Sequence, residues 1–243
     1  MQRSGCYPLL HFTMKKPKQL IFDFKINRKA GLRHFYFQSE ELKSLFNLEN
    51  FSQLPQELLI LGATGAGKSY LLQAYFNDAT SIGMNIGYLP LKALLSANIS
   101  SFEGYEDFEL VLIDGIEMLS GSKELQTALF NFLNHAFSSD CHVILTSSTA
   151  LPKLNFFADL YSRLTRMETH NLEVLLNDNL ARALSVVSES YEISISEKEV
   201  DFLLKRYKRD IKSMMVALHS LDDLSASQKR KITVPLIREF LDS

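Results

Sequence analysis

The chain has 243 residues, 46% of them hydrophobic and 22% charged, with a formal net charge of -2. That balance fits a soluble core with a smaller appendage and excludes a disordered chain, and no apolar run approaches the ~18 residues of a membrane helix. A charge so near zero also excludes a global positive field for phosphate-backbone binding, so any role on DNA is expected to be local or indirect.

Residues 1–34 hold Pro8, Pro17, a KKPK run at 15–18 and Gly31 with no sustained period, which predicts an extended arm. The apolar stretch around Tyr7 to Phe12 is too short and too poorly flanked for a signal peptide, and Met14 is a candidate start. Cys6 and Cys141 form neither a disulfide framework nor a metal pair, so a reduced, cytoplasmic setting is expected. Ser39 followed by Glu40, Glu41 and the spaced Leu42, Leu45 and Phe46 predicts a capped helix ending near Asn47. Then come apolar runs separated by helical patterns: ELLIL at 57–61, NIGYL at 85–89, ELVLID at 109–114 and HVILTSS at 142–148. Strands alternating with helices imply a parallel sheet covered on both faces. Leu125, Leu129, Phe132, Leu133 and Phe137 predict a helix over 123–138 that packs on that sheet.

Beyond about residue 170 helical patterns take over. Leu180, Ala183, Leu184 and Val187 form a stripe, and Ser196 with Glu199 is a capping-box pair ahead of Val200, Leu203 and Leu204. Ile211, Met214, Met215 and Leu218 continue, and Thr233 with Pro235 opens a last helix through Leu236, Ile237 and Phe240. The expected division is an arm over 1–34, an α/β domain over 35–170 and a helical domain over 171–243.

The string GATGAGKS at 62–69 matches G-x-x-x-x-G-K-[ST] and sits between the strand run ELLIL and the helical pattern Leu71, Leu72, Tyr75, Phe76, the setting a P-loop requires. In such a loop Gly62, Ala63, Thr64, Gly65, Ala66 and Gly67 turn backbone N–H groups toward phosphate oxygens, and the following helix adds its dipole. Lys68 supplies a positive charge for the β- and γ-phosphates, and Ser69 a hydroxyl for Mg²⁺. Asp114, closing the run ELVLID, stands where a Walker-B carboxylate approaches that metal through water.

With these motifs the chain resembles the Hda family of DnaA-related AAA+ proteins from about Gln19 onward. The resemblance is carried by QLIFDF at 19–24, FYFQSEEL at 35–42, LVLIDGIEMLSG at 110–121, DLYSRL at 159–164, FLLKRYKRD at 202–210 and KRKITVPLIREFL at 229–241. It implies an α/β AAA+ P-loop domain with a five-stranded parallel sheet and a C-terminal helical lid from about residue 171. ADP (or ATP) with Mg would be the nucleotide. QLIFDF would be a sliding-clamp-binding hexapeptide, with Gln19 in a polar pocket and Leu20, Phe22 and Phe24 as anchors. A short extended segment of this kind can fill a groove on a partner, while the same alternation also suits an edge strand. Arg163 in DLYSRL would be an arginine finger offered to a neighbour's γ-phosphate, its local alternative being an i,i+4 pair with Asp159. Arg209 would touch the nucleotide from the lid, or else belong to a solvated basic run from Lys205.

AAA+ ATPases usually place a second acid after the Walker-B aspartate. Here Gly115 follows, so slow hydrolysis is expected, and Glu117 reads as a solvated loop acid before it reads as a substitute base. Ser147 and Ser148 stand at the sensor-1 strand end, which puts a water-positioning role in doubt. The origin-reading helix-turn-helix that follows the lid in DnaA is not expected. Together these features imply a negative regulator of replication initiation: an ADP-bound activator of ATP hydrolysis by DnaA, tethered to the DNA polymerase sliding clamp and touching DNA mainly through it. No membrane partner is expected, and homo-oligomers are allowed for. The alternatives are a self-contained P-loop ATPase and a non-catalytic adaptor linking a partner to the clamp.

Overall fold

In a computed structural model, residues 27–96, 102, 104, 105, 107–207 and 210–242 are described. Five strands form one parallel sheet: β1 (Glu57–Leu61), β2 (Ile86–Pro90), β3 (Leu110–Asp114), β4 (His142–Ser147) and β5 (Glu168–Asn171), in the order β2-β3-β4-β1-β5. Side chains alternate across a strand. Leu59, Val111, Ile113, Val143 and Leu145 therefore meet helices on one face, while Leu58, Ile60, Leu110, Leu112 and Ile144 meet helices on the other. Both faces being covered explains why four of the strands read as continuous apolar runs.

The first face is closed by α3 (Leu91–Ser96), α4 (Lys123–Ser138) and α5 (Ala158–Leu164), through Leu94, Leu129, Phe132, Leu133, Leu160 and Leu164. The second is closed by α1 (Glu40–Leu45) and α2 (Lys68–Ser81), through Leu42, Leu71, Leu72, Tyr75 and Ala79. Ser39 caps α1 as expected, its hydroxyl accepting from the Leu42 amide. A third apolar cluster belongs to α6 (Asn177–Ser190), α7 (Glu197–Arg206), α8 (Ile211–Gln228) and α9 (Val234–Asp242). Leu180, Leu184, Val200, Leu203, Met214, Leu218, Leu236 and Ile237 are its buried members.

Three local expectations change. Phe137, spaced for the core, is 54% exposed in the last turn of α4, where it lies beside the Arg163 guanidinium. Ser196 does not cap the backbone of α7; its hydroxyl bonds the Glu199 carboxylate instead. The part of the arm from residue 27 is packed rather than extended. Leu32–His34 form a 3-10 turn, the Leu32 amide donates to Asp78 Oδ2 (2.8 Å), and Asn77 Nδ2 donates to the carbonyls of Asn27 and Ala30. The His34 ring stacks on Tyr191 of the third cluster at 4.0 Å, and His34 Nδ1 lies 2.6 Å from Ser190 Oγ. The hexapeptide residues Gln19, Leu20, Phe22 and Phe24, and also Arg209, lie outside the described residues. Among the described residues no helix is long and apolar enough to cross a membrane.

Candidate functional site

β3, β4 and β1 are neighbours, so their C-terminal ends bring three sequence-distant segments together at one edge of the sheet, the usual place for a ligand in an open α/β sheet. β1 runs straight into the 62–69 loop, and the loop into α2. Gly62 has no room for a side chain: a Cβ there would stand 2.3 Å from the Leu172 carbonyl oxygen, where the chain leaving β5 closes on the loop. Gly65 and Gly67 both take positive φ, 89° and 98°, which L side chains resist. A Cβ on Gly65 would face open space, and one on Gly67 would press at 3.3 Å on the Phe35 ring.

Ala63, Thr64 and Gly65 are exposed, whereas Ala66 and Lys68 are buried. Lys68 is folded back, its Nζ donating to the carbonyls of Gly62 (2.6 Å) and Ala63 (3.0 Å). Burial lowers the affinity of this amine for its proton below the usual lysine range, and the Glu117 and Asp114 carboxylates act in the opposite direction. Asp114 is held on both oxygens. Thr146 Oγ1 donates to Oδ1 at 2.6 Å, and Tyr88 OH donates to Oδ2 at 3.3 Å. Burial, followed by the Asp114 charge, pushes the Tyr88 phenol well up, so it stays a donor.

This donor set fits a phosphate group with a divalent cation. Open loop backbone and one buried lysine would face phosphate, and the exposed Ser69 with the fixed Asp114 would offer two oxygens to a hard cation bringing phosphate oxygens and water of its own. Among the described residues no group of three or more His, Cys, Asp or Glu is placed to hold a metal unaided.

The sequence reading places serines at the end of β4 and misses Thr146. Continuing the β3–β4 register by one step sets Asp114 beside Thr146, whose hydroxyl also accepts from the Gly115 amide at 3.0 Å. Ser147 turns away: its hydroxyl donates to the Thr149 carbonyl and accepts from the Thr149 amide. Glu117 is half-buried rather than fully solvated. Its Oε2 is out of contact with solvent and has no hydrogen-bond partner among the described residues.

Arg163 lies elsewhere. It sits in the last turn of α5, and its Nη2 donates to Glu57 Oε1 at 2.6 Å, at the start of β1 and so at the sheet edge opposite the 62–69 loop. The local pair with Asp159 is not formed, because the guanidinium points back across the sheet edge. Its side chain is 18% exposed and that of Glu57 12%. The guanidinium also lies 5.0 Å from the centre of the Phe137 ring, and its Nε has no partner among the described residues. An open groove of about 490 Å³, lined by Phe130, Asn134, Phe137, Asp159 and Arg166, adjoins it. Burial raises the Glu57 carboxyl above the usual carboxylate range, and the Arg163 charge offsets part of that.

Two families match the chain. The family described as Sigma-54 interaction domain covers residues 38–172, more than half of the chain, and the Hda lid domain covers residues 177–241. The second match decides among AAA+ branches, since it reads the helical cluster that follows the sheet. The chain belongs to the Hda family of DnaA-related AAA+ proteins. A Haemophilus influenzae relative, itself uncharacterized, is 28% identical to this Hda-family chain over 216 residues, 88% of this chain and 94% of the relative. Domain III of the Thermotoga maritima replication initiation protein DnaA superposes with a TM-score of 0.71 at 18% identity, covering 90% of this chain and all of that domain. AMPPCP-bound DnaA from Aquifex aeolicus gives 0.65 at 22% identity, over 82% of this chain and 66% of that longer one. The Thermotoga maritima RuvB branch migration motor gives 0.59 at 18%, over 88% of this chain and 72% of that one. These likenesses establish the fold that the Hda-family chain shares with them.

Proposed function

We propose that this protein restrains replication initiation by acting in trans on ATP-bound DnaA, offering Arg163 to the partner's γ-phosphate while holding a nucleotide in its own 62–69 loop. The observation that carries this reading is the placement of Arg163. It stands at the sheet edge away from the chain's own P-loop, across the full length of β1, and so cannot serve that loop. A guanidinium beside an exposed aromatic ring and an open groove suits a phosphate brought by a second molecule.

In its own site, Gly62 to Gly67 would cradle a diphosphate, Lys68 would exchange the Gly62 and Ala63 carbonyls for phosphate oxygens, and Ser69 and Asp114 would hold a Mg²⁺, which would supply neutralisation of phosphate charge. The resident nucleotide is ADP, with Arg209 contacting it from the lid. In the partner, Arg163 leaves Glu57 and stabilises the charge on the transferring phosphoryl group. Gln19, Leu20, Phe22 and Phe24 tether the complex to the sliding clamp in the cytoplasm, which brings DNA near without direct contact. The three-domain division at about 34 and 170 serves this reading, with the arm for the clamp and the lid for the nucleotide.

The test is phosphate release from DnaA preloaded with labelled ATP, with and without this protein and DNA-loaded clamp. The wild type is expected to accelerate release by roughly 10³-fold, as fingers supplied in trans do, and Arg163→Ala to abolish the gain. No acceleration by the wild type rejects the reading. Acceleration that survives Arg163→Ala transfers the role to another residue. A self-contained ATPase is the second reading, favoured by the shielded Oε2 of the half-buried Glu117.

A further inference from the structure

We propose that the arm is part of the cation site: a relay of hydrogen bonds from Asn27 through Gln73 and Tyr88 holds Asp114, so the docking of the arm on α2 sets how tightly a nucleotide-bound divalent cation is kept. The inference rests on the nucleotide and cation proposed for the 62–69 loop. It depends neither on Arg163 nor on what the arm binds.

One stripe of α2 carries the connection. Ser69, Gln73 and Asn77 follow at four-residue steps and so share a face of the helix. Ser69 stands at the loop end, Asn77 Nδ2 donates to the carbonyls of Asn27 (2.9 Å) and Ala30 (2.8 Å), and Gln73 lies between them. The Asn27 amide donates to Gln73 Oε1 at 3.0 Å, and Gln73 Nε2 donates to Tyr88 OH at 3.2 Å. Tyr88 OH in turn donates to Asp114 Oδ2 at 3.3 Å. Tyr88 is buried on β2, whose Pro90 pairs with Asp114 of β3.

The direction of each bond is fixed from upstream. A backbone N–H can only donate, so Gln73 must turn its carbonyl oxygen to Asn27, which leaves its NH₂ for Tyr88. The Tyr88 oxygen accepts from that amide and points its one proton at Asp114. The other carboxylate oxygen is held by the same logic, since Gly115 N donates to Thr146 Oγ1 and Thr146 Oγ1 donates to Asp114 Oδ1. The two relays differ in where they start. Gly115 is anchored between strands, its amide donating also to the Thr146 carbonyl (3.2 Å), whereas Asn27 is exposed and follows Phe24 by three residues. With Asn27 withdrawn, Gln73 is free to turn its amide over and take the Tyr88 proton, and Asp114 loses one of its two hydroxyl donors. Groups that orient a metal-binding carboxylate typically account for about 10–100-fold in metal affinity. A partner that draws the arm off α2 would thereby also loosen the cation.

Cation binding, rather than turnover, tests the relay. The full-length protein is loaded with ADP and titrated with Mn²⁺, the free ion being read from its electron paramagnetic resonance signal. ADP affinity is measured separately in EDTA with a fluorescent analogue. Asn27→Pro removes the amide donor, Gln73→Leu the middle of the relay and Tyr88→Phe its last proton. Each is expected to weaken Mn²⁺ binding about 10-fold or more while leaving ADP affinity in EDTA within about two-fold of wild type. Asn27→Ala keeps the amide, loses only the side-chain contact to the Lys29 amide (3.1 Å), and should bind Mn²⁺ as the wild type does. Combining Asn27→Pro with Gln73→Leu should add nothing to the larger single effect, since both cut one chain. Unchanged or tighter Mn²⁺ binding in the three variants overturns the proposal, as do additive losses. Losses of ADP affinity that match those of Mn²⁺ assign the residues to the shape of the loop and overturn it too. A wild type that takes up no Mn²⁺ with ADP defeats the reading of the site and the relay together, whereas wild-type uptake with unchanged variants defeats the relay alone.

Discussion

Replacing Glu57 by alanine leaves the Arg163 guanidinium with only a long contact from Nη2 to the Leu133 carbonyl (3.5 Å), its Nε already having no partner among the described residues. Removing one member of a buried ion pair costs about 3–5 kcal/mol, because the other charge is left unpaired. Arg163 is 18% exposed beside an open groove, so water can reach part of it, and the Phe137 ring remains beneath it. We therefore expect about 1–3 kcal/mol for Glu57→Ala. Arg163→Ala should cost a similar amount, since it deletes the ring contact and leaves a carboxylate that burial already disfavours. The double variant removes both charges together and should cost no more than the larger single change, a coupling of about 1–3 kcal/mol. Urea denaturation of the four proteins at pH 7 measures it. For a chain of this size, roughly 2–4 °C in melting temperature per kcal/mol gives an independent reading. Additive effects, with coupling below about 0.5 kcal/mol, would refute the pairing as an energetic unit.

Gly62→Ala drives a methyl group into the Leu172 carbonyl at 2.3 Å, so the chain leaving β5 must shift; a loss of about 1–3 kcal/mol is expected by thermal melting, and an unchanged melting curve would show that the contact yields freely. His34 is held below its ordinary 6.5 by burial first and Arg33 second, with Asp78 opposing. Its folded-state value is thus depressed, and its stabilising contribution is present above about pH 6.5 and lost as the pH falls through the folded value. The wild type should lose more melting temperature between pH 7 and 5.5 than His34→Phe, which keeps a ring against Tyr191; equal losses would remove His34 as the cause.

The features legible in the sequence are those set by local periodicity or by burial on both faces. ELLIL, NIGYL, ELVLID and HVILTSS become β1 to β4 within a residue or so, because a parallel strand covered on two sides must be apolar throughout. β5 escapes that rule. Its ETHN pairs on one side only, with β1, and its mostly exposed residues give no apolar run, so nothing but the family resemblance points to a fifth strand. Local spacing also misleads at Arg163. The four-residue rule sees Asp159 and has no access to Glu57, which is 106 positions away in sequence and adjacent only once β1 and α5 meet. Thr146 is hidden for the same reason, since its alignment with Asp114 depends on the strand pairing. Glu117 is half-buried where exposure averages predict a solvated acid, since they say nothing of the left-handed Gly115 that leads into the 3-10 turn.

The two ends of β1 constrain how Arg163 would reach a partner in the proposed role. Leu58, Leu59 and Ile60 are fully buried, and the strand is hydrogen-bonded on one side to β4 and on the other to β5. Glu57, at its first residue, is therefore a fixed point about 13 Å along the strand from Leu61, at ~3.3 Å per residue. Arg163 hangs from a seven-residue helix beside an open groove, and its contacts to Glu57 and Phe137 are made by the far end of a long side chain. Of the two partners, the arginine is the one that can move without breaking the sheet. If Arg163 is offered in trans as proposed, its release toward a neighbour's phosphate would need only rotation of a side chain, offset by an anion that replaces the Glu57 carboxylate. A charge-for-charge exchange of this kind would favour release when a phosphate is already in place and would return Arg163 to Glu57 when none is.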